Sequence, residues 1–280
     1  MLRRRALFVY AASLAAGVAA PAAAAQERAS PRRAPDMQRI LDRGRLVVAV
    51  AGFAAPPFVT IGADGALGGH DIALAHGMAG ALGLPVAFDR DATNFDDIVG
   101  KVAQGTADLG LSRLSATLAR AVLVRFSRPY VVLRHALLVN RPRFARLLPD
   151  GEPLAALKAG DAPLAIVPGT AAAEYARRLV APARLREYRR WDPDVVDAVR
   201  GGEVIAACGD EVEAKRALAV RPDAPLQLRA VMLPDTRDPI AAALPWDSLQ
   251  LLAWVDLYLD SAAAPLTVEQ LLDQPDKPAE

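Results

Sequence analysis

From Leu46 onward the chain switches between short apolar runs and longer stretches in which apolar residues recur every three to four positions. Apolar runs of four to eight residues bounded by turn formers fit buried strands, and the 3.6-residue period fits amphipathic helices. The pattern predicts strands at 46–51, 86–88 and 107–112, and helices at 71–82, opened by Asp71, and at 95–104. After an extended run at 132–140 the alternation restarts. Strands follow at 164–167, 185–188, 204–208 and 226–233, with helices at 171–179, 193–200 and 210–220. The segment "SLQLLAWVDLYLDS" (248–261) closes the pattern as an amphipathic helix. Strands alternating with helices imply an α/β fold of parallel sheets with helices on both faces, and the restart implies two lobes. The fragments "GLS", "VPGT" and "CGDE" then fall at strand carboxyl ends, where open α/β sheets bind ligands.

The first 25 residues follow another pattern. Arg3, Arg4 and Arg5 precede an uncharged apolar stretch, 6–19, and small residues up to Ala25. This reads as a cleaved secretory signal peptide, too short for the roughly 20 apolar residues of a membrane span. Residues 26–37 read as a polar, proline-containing flexible leader, and 277–280 as a tail. Cleavage would take the 33 Lys+Arg down to 30 against 32 Asp+Glu. A near-neutral chain without clustered positive charge argues against nucleic acid as a partner. Cys208 is the only cysteine, so packing rather than a disulfide must stabilise the fold. Its apolar surroundings, "VIAACG", indicate a buried structural thiol.

Catalytic signatures are missing. The sequence has no G-x-S-x-G, no G-x-x-x-x-G-K-[ST] and no H-E-x-x-H, and "GADGALGG" reads as a turn. His70, His76 and His135 lack metal-ligand spacing, so neither metal nor cofactor is expected. Trp191, Trp246 and Trp254 are expected to pack the lobes.

The stretch "GLSRLSATLAR" (110–120) carries the candidate chemistry. Ser115 reads as the N-cap of a helix over 116–122, which places Arg120 where the backbone field is already positive, at a cost of about 0.3–1 kcal/mol. A bound carboxylate would offset this cost. It would accept from backbone N–H groups and Ser115, and pair two-pronged with Arg120. Asp210, after its strand, is placed to accept from an ammonium, and Gly169, Thr170 and Ala171 form another strand-to-helix turn with free N–H groups. Together these groups fit a zwitterion. Each also has an ordinary reading, Arg120 as a surface residue and Ser115 and Asp210 as simple caps.

With these stretches in order, the chain resembles the periplasmic solute-binding proteins of polar amino-acid ABC transporters. The resemblance rests on "LDRGRLVVAV", "PPF", "GGHDIALAHGMAGALGLPVAF", "GTADLGLSRLSATLAR", "VRFSRPY", "VPGTAAAEYARR" and "GEVIAACGDEVEA". It implies a two-lobed fold, with 38–138 plus 232–276 as lobe 1 and 139–231 as lobe 2, joined by hinge strands near 137–140 and 229–232. It further implies a carboxylate held by Ser115 and Arg120, an ammonium held by Asp210, donor N–H groups at Thr170 and Ala171, and an apolar wall at Phe95. Three positions depart from the family pattern. Ala55 replaces an aromatic before "PPF", with Phe53 as a substitute; Arg113 replaces a small residue facing the pocket; His70 replaces a phenylalanine. Two cationic side chains in one pocket would favour a ligand with a second anionic group, unless Arg113 turns outward.

The leading expectation is therefore a non-enzymatic periplasmic protein that captures an amino acid or related small carboxylate for an inner-membrane ABC permease. One alternative is an accessory or sensory protein on the same fold with altered or lost solute binding. The other is a periplasmic prephenate or arogenate dehydratase, which would need a general acid in the pocket, and none is evident in the first lobe from sequence.

Overall fold

The computed structural model describes residues 32–147, 153–262 and 266–273. The signal peptide 1–25, most of the leader and the tail 277–280 lie outside these residues.

Pro35 opens α1 (Pro35–Arg43), which Gly44 ends in the left-handed conformation, its N–H reaching back to Ile40 O and Leu41 O. The leader thus gives way to a helix at its last three positions. Next come β1 (Leu46–Ala51), a small hairpin of β2 (Thr60–Ile61) and β3 (Leu67–Gly68) at the glycine-rich turn, and α2 (His70–Ala81). Then follow β4 (Val86–Ala92), α3 (Phe95–Ala103), β5 (Leu109–Gly110), α4 (Leu118–Ala121), β6 (Val124–Phe126) and β7 (Val131–Leu133). The second half runs β8 (His135–Asn140), α5 (Arg141–Leu147), α6 (Pro153–Ala159), β9 (Leu164–Ile166), α7 (Ala171–Leu179) and β10 (Leu185–Glu187). A turn over Trp191–Val195 leads into α8 (Val196–Gly201), then β11 (Ala206–Asp210), α9 (Glu211–Ala219), α10 (Ala224–Gln227) and β12 (Leu228–Met232). The chain returns through β13 (Asp238–Ile240), β14 (Ala243–Pro245), α11 (Leu249–Ala262) and α12 (Val268–Leu272).

The strands form two five-stranded sheets, ordered β4-β1-β5-β14-β6 and β10-β9-β11-β8-β12. Helices cover both faces of each, and the period of two along the strands separates the faces. In β1, Leu46, Val48 and Val50 point into one core, while Ala49 and Ala51 point into another beneath α3. In the second sheet Leu164, Ile166, Ala206 and Cys208 face one core, and Ala165 and Ala207 the other. Alanines beneath α3 allow close approach. A Cβ at Gly110 would lie 2.9 Å from Ile98 Cγ2 of α3.

The sheets are mixed rather than all-parallel. β14 runs antiparallel to β5 and β6, and β8 antiparallel to β11 and β12. Alternation alone misses this, because strands that return from or lead into the other lobe need not repeat the βαβ crossover. The segments expected as hinge strands, 137–140 and 229–232, lie inside the second sheet as β8 and β12. The chain passes between the sheets at Arg134 and over 233–237. The buried Glu211 carboxylate fixes the first crossing by accepting from Arg134 N and Nη2, and Thr236 Oγ1 fixes the second by accepting from His135 N. Trp246 is 67 % exposed, so it does not pack a lobe as expected, whereas Trp191 and Trp254 pack against core residues.

Asp36 in α1 caps α11 from a distance. Its Oδ2 accepts from Gln250 N and Leu251 N, both at 2.9 Å, and the residue is buried. Asp36→Ala leaves two N–H groups at the start of α11 without this acceptor. It is expected to lower stability by about 1–2 kcal/mol in urea unfolding, with Asp36→Asn losing less.

Candidate functional site

The turn after β5 determines where the site's first cation points. Ser112 and Arg113 adopt positive φ, 146° and 52°, which costs residues with a Cβ about 1–3 kcal/mol each and persists only under outside constraint. Ser112 Oγ accepts from Ala51 N at 2.8 Å, and Arg113 N donates to Asp71 Oδ2 at 2.6 Å. Asp71, fully buried, also accepts from Tyr130 Oη at 3.0 Å. The sequence casts Asp71 as the opening residue of its helix; α2 instead starts at His70 behind Gly69, and Asp71 anchors the turn that carries Arg113.

Arg113 points into the cleft between the sheets. Its Nη1 contacts Asp210 Oδ2, its Nη2 lies 2.8 Å from Glu213 Oε1, and its guanidinium carbon sits 5.4 Å from the Phe95 ring centroid. The two carboxylates come from the N-terminus of α9, where Asp210 and Glu213 form a capping box. Asp210 is therefore a cap and a charge partner at once. Because two acids of the chain already meet Arg113, it creates no need for a second anionic group on the ligand, contrary to the sequence argument.

Arg120 is equally enclosed. Nε donates to Asp96 Oδ1 at 3.0 Å, Nη1 to Ser115 O at 3.1 Å and Nη2 to Gly169 O at 2.8 Å. The expected helix over 116–122 is only the four-residue α4. Thr117, not Ser115, is its N-cap, and Arg120 lies in the last turn, so the anticipated penalty at a helix N-terminus does not arise. Ser115 bridges to Ile240, and its Oγ donates to Asp238 Oδ2 at 3.0 Å. Thr170 Oγ1 caps α7 by accepting from Ala173 N at 3.1 Å.

Phe95, Arg113, Ser115, Arg120, Thr170, Ala171 and Asp210 together line a cavity of about 20 Å³ with Ala172, Glu213 and Asp238. Phe53 stands behind, its ring edge-on to Phe95 at 5.4 Å, on an adjoining larger chamber. The small cavity has room for about one water. A carboxylate or ammonium ligand must therefore displace a partner the chain itself supplies, Asp96 from Arg120 or Arg113 from Asp210. These partners differ in cost. Asp96 is 62 % exposed, so its carboxylate regains water when another anion takes its place on the enclosed Arg120. Arg113, Asp210 and Glu213 are largely enclosed, and removing one partner from such a cluster costs about 3–5 kcal/mol.

Sequence reasoning missed Asp96, Glu213, Asp238 and the role of Asp71. Glu213 was readable as the last member of "DEVE", and Asp96 as part of the "NFDD" capping segment that opens α3. Asp238 carries no local signal, since Ser115 lies 123 residues away. It places a buried carboxyl beside the pocket from the first lobe's side, where the sequence shows none. His70 and His135 are held neutral, burial lowering each to about 4, and they stack near Tyr130 and Tyr175. No cluster of potential metal ligands occurs among the described residues.

Residues 46–274 match the model of the bacterial extracellular solute-binding proteins, family 3. No curated protein matches the sequence. Among solved structures, the chain is similar to an ancestral amino acid-binding protein described as a precursor of cyclohexadienyl dehydratase, at 25% identity and TM-score 0.70, covering 84% of this chain and 96% of that one. It is also similar to a binding component of an ABC transporter from Wolinella succinogenes complexed with lysine, at 23% identity and TM-score 0.69, covering 78% and 89%. A third is an amino acid ABC transporter substrate-binding protein from Streptococcus pneumoniae bound to L-arginine, at 24% identity and TM-score 0.69, covering 85% and 96%. These likenesses establish the two-lobed binding-protein fold.

Burial raises three carboxyls around the site, Asp71 and Asp210 to about 7 and Asp238 to about 6, against the pull of their hydrogen bonds and of Arg113. Burial also opposes the charge on Arg113, but Asp210 and Glu213 outweigh it and hold Arg113 above the ordinary arginine range. Between about pH 4 and 7 the folded chain thus binds more protons at these carboxyls than the unfolded chain. Their contribution to stability is full below about pH 4 and is lost as pH rises through 6 to 7. Asp71→Asn keeps a carbonyl acceptor for Arg113 N but cannot ionise. Its melting temperature relative to wild type is expected to rise from pH 5 to pH 8; a constant difference would show that Asp71 does not titrate in that range.

Proposed function

Since the chain belongs to the bacterial extracellular solute-binding proteins of family 3, we propose that it captures an amino acid or related small carboxylate between its lobes. Residues 1–25 export it to the periplasm, and it hands the ligand to an inner-membrane ABC permease without chemical change. The observation that carries this reading is convergence. Arg120 and Ser115 from one side, and Thr170, Ala171 and Asp210 from the other, meet at a single small cavity although up to 95 positions separate them. In this reading the ligand carboxylate takes the place of Asp96 Oδ1 on Nε and Nη2 of Arg120, where a planar anion can use both of its oxygens. Ser115 and the first N–H groups of α7 complete its shell.

One observation favours a second reading. Arg113 satisfies Asp210 and Glu213 from within the chain, which suits an accessory or sensory protein that has given up solute binding. The buried Asp238 gives a dehydratase reading the pocket acid it needs, so turnover of prephenate belongs in the same test.

Mature protein, screened by thermal shift and calorimetry against amino acids, dicarboxylates and prephenate, is expected to be stabilised by a carboxylate without product formation. Arg120→Ala is expected to weaken that binding by about 100-fold or more, with little change in the melting temperature of the free protein. Unchanged affinity in Arg120→Ala would remove the site assignment. No response to any ligand would favour the accessory role, and product formation the enzyme.

A further inference from the structure

The small cavity opens beside a chamber of about 870 Å³, and the two share Phe95, Arg113, Thr170 and Glu213 on their walls. That volume lies within the roughly 300–1,000 Å³ typical of sites for whole organic ligands. One wall is low because Gly52, Ala54 and Ala55 supply almost no side chain. Gly52 cannot be larger, since a Cβ there would lie 2.4 Å from Arg90 O of β4. Three aromatic side chains from both lobes stand among otherwise largely polar walls: the edge-on pair Phe53 and Phe95, and Trp191, whose Nε1 is fixed on Glu213 O at 3.2 Å. Five arginines and three carboxylates line the chamber, and several are already paired: Arg113 with Asp210 and Glu213, Arg190 with Asp194, and Asp192 with Arg221.

Two in-chain pairs guard the polar end, and they differ in how readily they yield. Asp96 is mostly exposed and can return to solvent at little cost once another anion holds the enclosed Arg120, whereas Asp210 stays enclosed with Arg113 and Glu213. A ligand that brings only an anion displaces the cheap pair and leaves the costly one in place. One that also brings an ammonium must break both.

We propose that the ligand is an organic carboxylate without a free ammonium group, its anion on Arg120 and a flat apolar body in the chamber between Phe53, Phe95 and Trp191. The head-group contact rests on the reading of Arg120 given above; the chamber and the exclusion of an ammonium are additional. Arg113 acts as a built-in cation that occupies Asp210 and Glu213 and so sets the ligand class.

The test titrates mature protein with N-benzoylglycine, its methyl ester, L-phenylalanine and L-glutamate, by calorimetry and Trp fluorescence. N-benzoylglycine is expected to bind at least tenfold more tightly than either amino acid, and the ester to lose that advantage. Ala54→Trp, at an exposed position on the chamber wall, is expected to weaken N-benzoylglycine at least tenfold at an unchanged melting temperature. Tighter binding of phenylalanine or glutamate, with loss in Arg120→Ala, would overturn the proposed ligand class and leave the solute-binding reading standing. Equal binding of N-benzoylglycine to Ala54→Trp and wild type would overturn the chamber. Failure of every probe to bind would overturn the proposal, and binding indifferent to Arg120→Ala would overturn the head-group reading with it.

Discussion

A guanidinium sealed between two lobes must find anions inside the protein, and much of this site is arranged around that requirement. Arg113 is oriented by a turn in left-handed conformation, the turn is held by Asp71, and Asp71 is held by Tyr130. Opposite, the capping box of α9 supplies Asp210 and Glu213 at the height of the guanidinium. Moving any one of these groups leaves a buried charge without its complement, which is why a local turn, a distant carboxyl and a helix start behave as one unit.

The two sheets make this possible by bringing strand ends together. β5 and β11 both end at the cleft, one delivering Arg113 and the other Asp210. Because the chain crosses between lobes at Arg134 and 233–237, both crossings lie next to the elements that carry the charges: Glu211 follows Asp210, and Asp238 follows the second crossing. A rotation at the crossings therefore changes the distance between Arg113 and its partners directly. The charges at the cleft are already paired within the chain, so an anion entering there competes with the chain's own groups as well as with solvent.

The sequence made the secondary elements and the two-lobed plan legible because both depend on local periodicity and its restart. The identities of Arg120, Thr170, Ala171, Phe95 and Arg113 as cavity residues were also legible: Arg120, Thr170 and Ala171 match resembled segments, Phe95 matches an expected apolar wall, and Arg113 stands out as a departure beside them. What could not be read is pairing over distance. Ser115 looked like a cap because a hydroxyl before "ATLAR" fits that pattern, yet its partner Asp238 arrives from the other end of the chain. The antiparallel strands β8 and β14 were hidden for the same reason, since strand direction is decided by where the chain returns. Asp71 was misassigned because an acid at a helix start is usually a cap, and only the turn after β5 shows what it holds.

Cys208 lies in the middle of β11, two positions before Asp210 and on the same face of the strand, but it is buried in the second sheet's own core with Leu137, Ile166, Ala173 and Ala176. Burial pushes its thiol up to about 12, so almost no thiolate is present at neutral pH. All of these neighbours belong to the second sheet and its helices, so opening of that sheet is what uncovers the sulfur. The single thiol is thus a chemical clock that starts only when the β11 core comes apart, so alkylation kinetics time the opening of the second sheet.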